Sequence, residues 1–134
     1  MKRAILLGVT LSAVALGGCR PSVTATDTVI AGAEDCGKKP VFVPLYADAK
    51  VTLCSSGHDD ATRKDSGMLL YTSAAAPAAV LAWSKAEAAK AGLAERLTTP
   101  EMFSAGDGEK RTVMIMAAPK GSGSQVTLNW GRER

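Results

Sequence analysis

The feature that most narrows the fold is an alanine-rich stretch, residues 74–91, set between segments that alternate polar and apolar side chains. Pro77 suits the first helical position and Gly92 the residue just past the end. Val80, Leu81, Ser84, Ala88 and Ala91 fall on one face, while Lys85, Glu87 and Lys90 point elsewhere. The spacing predicts a helix whose small core-facing residues let it pack close to a sheet while burying little area per residue. Trp83 lies at the border of that face, and Ala76 stands where a Ser or Asp cap is expected.

The flanking segments read as strands. In residues 50–54 the alternation puts Val51 and Leu53 on one face of a half-buried strand. Residues 67–72 form the next strand, joined to the first by a long polar connection from Ser55 to Gly67. Beyond the helix, residues 93–98 predict a short strand, 100–103 a turn, and Asp107-Gly108 a further turn. Residues 111–117 and 125–130 predict two more strands around the turn Lys120-Gly121-Ser122-Gly123-Ser124, with Val126, Leu128 and Trp130 sharing a face. The apolar run Val41-Phe42-Val43-Pro44-Leu45-Tyr46 suits an edge or extended lead-in, because Pro44 lacks an N–H. This order predicts an α+β fold, an antiparallel sheet of about four or five strands with one helix packed on one face.

The N-terminus has a different character. Met1-Lys2-Arg3 is basic, and an apolar run of about thirteen residues follows from Ala4 to Leu16, short of the roughly 20 needed to span a bilayer. Leu16-Gly17-Gly18-Cys19 then resembles the lipobox of bacterial lipoproteins, an aliphatic residue and small residues before a lipid-accepting cysteine. The resemblance implies cleavage between Gly18 and Cys19 and diacylglycerol on the Cys19 sulfur. Two or more acyl chains hold a protein stably on a membrane where one holds it marginally. Arg20 follows the cysteine, and by analogy with envelope systems in which an acidic residue there retains a lipoprotein at the inner membrane, it points to the outer membrane, facing the periplasm. The expected organisation is a signal peptide over residues 1–18, a lipidated N-terminus and tether over 19–39, and one α+β domain over 40–134.

Three cysteines occur, and with Cys19 taken by lipid an even pair remains, Cys36 and Cys54. In an oxidising periplasm such a pair is most simply a disulfide, the alternatives being a metal site or a reactive thiol. Removing Lys2 and Arg3 with the leader leaves the mature chain near charge balance, and neither a basic stripe nor interleaved aromatics mark a nucleic-acid partner.

Few residues have catalytic character. His58-Asp59-Asp60 is the one cluster with the right types for a metal or a general base, but His58 is the only histidine and adjacent loop residues rarely converge. Ser55 and Ser56 lie near it without a Gly-x-Ser-x-Gly setting. Gly121-Ser122-Gly123-Ser124 lacks the lysine of a phosphate loop, and Asp107-Gly108-Glu109 lacks the carboxylate spacing of a calcium loop. Met114 and Met116 have the sulfur of a copper ligand pair, but their alternation within a strand makes them core or face residues first. Arg63-Lys64-Asp65 and Lys38-Lys39 read first as solvated charges, with contact to anionic lipid head groups the alternative for Lys38-Lys39 beside the tether.

The body also resembles a widespread type of small bacterial lipoprotein domain, in which a Leu-Tyr-x-x-Ala lead-in precedes a hairpin and a Val-Leu-Ala-Trp…Ala-Gly helix. Here these residues are Leu45, Tyr46, Ala49, Val80, Leu81, Ala82, Trp83, Ala91 and Gly92. That resemblance implies a fold and no chemistry. The expectation is a membrane-anchored, non-enzymatic binding or assembly module of the envelope, with an envelope protein as partner and no cofactor. The alternative is an inhibitor or immunity lipoprotein against a periplasmic enzyme or toxin.

Overall fold

The computed structural model describes residues 39–108 and 110–134. The expected signal peptide, Cys19, Cys36 and most of the tether lie outside the described residues. The elements run β1 (Lys50–Asp59), β2 (Lys64–Ser73), α1 (Pro77–Lys90), β3 (Ala94–Thr98), β4 (Met102–Gly106), β5 (Arg111–Lys120) and β6 (Gly123–Glu133). All pairings are antiparallel in one six-stranded sheet of order β1-β2-β6-β5-β4-β3. The mixed α+β class is as expected. The sheet has six strands rather than four or five.

The sixth is β4, which the sequence reads as a turn at residues 100–103. The chain does turn at Thr99-Pro100-Glu101, where the Thr99 hydroxyl accepts from the Met102 amide at 3.0 Å. Met102-Phe103 then opens a strand. Its composition, Met-Phe-Ser-Ala-Gly, has little strand preference, but pairing on both sides holds it and buries Phe103 and Ala105.

The connection expected over residues 55–67 is also corrected. Both strands run on through it, Ser55↔Met68 to Asp59↔Lys64, to a short turn closed by the Asp59 carboxylate on the Ala61 amide and the Thr62 hydroxyl. These hairpin arms are polar because they are largely exposed, not because they are unpaired. A bulge at Thr52 overturns a second expectation. Val51 pairs with Tyr71 and stays on the covered face, whereas Leu53 pairs with Leu70 and turns to the other face. Cys54, opposite Leu69, takes the inward place expected of Leu53 and packs against the core.

Helix α1 lies on one face of the sheet, mainly over β5 and β4. It buries Val80, Leu81, Ser84 and Ala88. Its start has no side-chain cap at Ala76, as the sequence predicts, and Asp48 with Ser73 holds the approach instead. Ser73 Oγ donates to Asp48 Oδ1 at 2.6 Å, and the Ala74 amide donates to Oδ2 at 2.9 Å. Its end is a Schellman turn: the Gly92 amide donates to Ala89 and the Leu93 amide to Ala88, with Gly92 at φ 79°. Leu93 is buried where that motif calls for an apolar contact.

The core between helix and sheet comprises Leu69 and Tyr71 of β2, Val126, Leu128 and Trp130 of β6, Val113, Ile115 and Ala117 of β5, and Phe103 and Ala105 of β4. Trp130 lies so close over Gly67 that a Cβ there would stand 2.5 Å from its ring. The lead-in closes one side of this core. Val43 is buried, and Tyr46 meets Trp83 edge-on with ring centroids 5.1 Å apart.

Candidate functional site: the uncovered face of the sheet

The catalytic residue types do not assemble. His58 is exposed on β1, opposite Asp65 in register. Asp65 gives its oxygens to Arg132 and Arg134, each at 3.0 Å, so it is not an orienting partner for an imidazole. Asp59 is spent on the turn, and the Thr62 hydroxyl followed by backbone amides holds its carboxyl below the usual 3.8. Asp60 pairs with Arg134 at 2.7 Å, which lowers its pKa in the same way. Ser55 and Ser56 fall on opposite faces of β1, since they pair with Met68 and Gly67 respectively. Among the described residues no three His, Cys, Asp or Glu side chains could hold a metal together.

The remaining candidates are structural. Gly121-Ser122 forms the β5–β6 hairpin turn, with Gly121 at φ 58°. Asp107 accepts from the Arg111 amide and its Nε, both at 2.7 Å, and the Arg111 guanidinium lowers its pKa. Lys39 donates to the Val43 carbonyl at 3.0 Å. The Tyr71 hydroxyl is buried without a hydrogen bond of good geometry, and burial pushes its pKa up to about 12.

What the structure does assemble is the face opposite the helix. No element among the described residues covers it. Register sets its side chains in rows across the strands. One row runs Leu53, Leu70, Thr127, Met116, Met102, and the next runs Ser55, Met68, Asn129, Met114, Ser104, Leu97. Neither row contains a charged residue. Met114 is 37% exposed, Met116 39% and Leu97 45%, while Leu53, Met68, Leu70 and Met102 are half-buried. Every methionine after Met1 lies on this face. Beside Met102 and Met116 the surface dips into a depression of about 690 Å³ bordered by Glu101, Pro119, Gln125 and Thr127.

Alternation assigns Met114 and Met116 to one strand side, and the structure puts them there. That Met68, Met102 and Leu53 join them depends on cross-strand register and the Thr52 bulge. No single segment carries a signal for that. Sheet edges flank the face, and β3, at five exposed residues with a bulge at Arg96, is a short and charged edge. No helix among the described residues is long and apolar enough to cross a membrane. Compared with known protein families, curated proteins and solved structures, the chain gives no match.

Proposed function

We propose that this chain is a lipid-anchored envelope protein, held through Cys19 at the outer membrane, that acts as a non-enzymatic binding module. The observation that carries the binding reading is the uncharged double row on the uncovered face, where Leu53, Leu70, Met68, Met114 and Met116 meet solvent. An apolar face of this extent left in water is a cost unless something covers it. Methionine side chains adapt to a partner's shape, which suits a protein surface presenting uncharged, apolar groups. The anchor reading rests on the lipobox residues, and an acyl-tethered domain meets its partner at raised effective concentration.

Pairing of Cys36 with Cys54 belongs to the same reading. Cys54 is not a free thiol, and a disulfide from it would fix the end of the tether to β1.

The test places a photo-crosslinking residue at position 116, on the open face, and another at position 82, on the exposed side of α1, in the full chain made in cells. The expected result is one dominant envelope-protein adduct from position 116, none from 82, and a mature product whose mass includes diacylglycerol on Cys19. Equal crosslinking from both positions would remove the docking face. A soluble product without lipid would remove the anchor.

A further inference from the structure

We infer that the open face also binds a soft monovalent metal ion, Cu(I) or its analogue Ag(I), between the thioethers of Met102, Met114 and Met116. Met102 stands directly opposite Met116 in the β4–β5 pair, where Cβ atoms lie about 4.5–5.5 Å apart. Met114 precedes Met116 by two residues along β5 on the same face, diagonal to Met102, within the roughly 7–8 Å that long side chains bridge. All three retain solvent access, Met102 least.

The chemistry of the surroundings favours this ion over others. Thioether sulfur is a soft donor that selects Cu(I) over hard cations such as Mg²⁺ and Ca²⁺. It has no proton to lose, so it ligates without the deprotonation that thiol and imidazole ligands require. The other side chains of the two rows are uncharged; Arg96 shares a depression with Met114, but its guanidinium lies over Gly106 and donates to the Gly108 carbonyl. Cys54 is not a free thiol and cannot compete. His58 is on the opposite face of the sheet, in register with Asp65. Solvent-facing strand positions ordinarily favour Thr, Val or Ile, whose branched side chains fit a pleated surface. Gathering all four downstream methionines there instead is unexplained by strand preference, whereas a thioether site uses three of them.

The site is independent of the docking reading, because the titration is made on the purified chain with no partner present. Leucine keeps the volume and apolarity of methionine and removes the sulfur. The experiment titrates Ag(I), which needs no reductant, into the disulfide-intact full chain with methyl-labelled methionine, followed by NMR. One equivalent should shift the methyl signals of Met102, Met114 and Met116 and leave Met68 in place. The M102L/M114L/M116L chain should bind on the order of 100-fold more weakly, at least the loss that outer-shell changes alone can reach. Uptake should be alike at about pH 5 and about pH 7, on either side of the imidazole range. Shifts confined to Met68, uptake that rises with pH through the imidazole range, parental affinity in the triple variant, or no uptake would each overturn the site. If the triple variant does not fold, the methyl map of the parent chain decides.

Discussion

The two faces of this sheet are drawn from the same strands by the same alternation, yet they are built differently. On β5 and β6 the covered side carries Val113, Ile115, Val126, Leu128 and Trp130, and the open side carries Thr112, Met114, Met116, Thr127 and Asn129. The covered set is stiff, branched or aromatic and at most 6% exposed. The open set is flexible or polar and partly wet. Rigid shapes suit a core that must pack one way, whereas long unbranched side chains suit a surface that is completed by something else.

The comparison is broken or sharpened first by truncation. Phe103→Ala, on the covered face, should cost about 3–5 kcal/mol, whereas Met114→Ala should stay within about 0.5 kcal/mol. Urea denaturation of both variants checks this, and equal losses would mean that the open face is packed in solution. Next in size is the disulfide. If Cys36 and Cys54 are joined, reduction should remove roughly 3 kcal/mol by freeing the closed loop, read as a drop in the denaturation midpoint that Cys54→Ser reproduces.

A smaller effect of opposite sign is expected at the helix. Ser84 is fully buried, and its hydroxyl has no hydrogen-bond partner among the described residues. Ser84→Ala removes an unsatisfied polar group and improves helix preference, so it should stabilise by about 1 kcal/mol. A destabilised variant would show that the hydroxyl is satisfied after all.

The smallest effect is at the rim, where the Asp48 carboxyl is held below its ordinary 3.8, first by the Ser73 hydroxyl and then by the Ala74 amide. A depressed folded pKa gives stability that is complete above the unfolded value and lost as pH falls through the folded one. The contribution of Asp48 should therefore be complete above about pH 5 and shrink as the pH falls below the ordinary 3.8. Asp48→Asn should lie slightly below the wild-type chain at neutral pH, and the gap should narrow as the pH falls past the ordinary 3.8 and close only below the depressed folded value, followed by thermal midpoints across the acid range.

Legibility in the sequence followed the range of the interactions. The helix, its proline start, its glycine end and its small buried face are local properties, and residues 74–91 display them without help. The inward triad Val126, Leu128 and Trp130 is equally plain, because alternation in one strand suffices. The candidate site was legible only as the pair Met114 and Met116. The polar hairpin arms of β1 and β2 misled because polarity marks exposure, and an exposed strand and a loop have the same composition.

The sequence alone determined where the helix starts and stops, that Val126, Leu128 and Trp130 share a face, and that the chain turns at Gly121-Ser122, since each follows from side chains within a few positions. Only the tertiary structure decided that β4 is a strand, that Leu53 and Cys54 exchange faces at the Thr52 bulge, and that Met102 stands opposite Met116. Those facts depend on register between strands distant in the chain. A slip of one residue in register reverses every side chain's face, and nothing local in the chain records it.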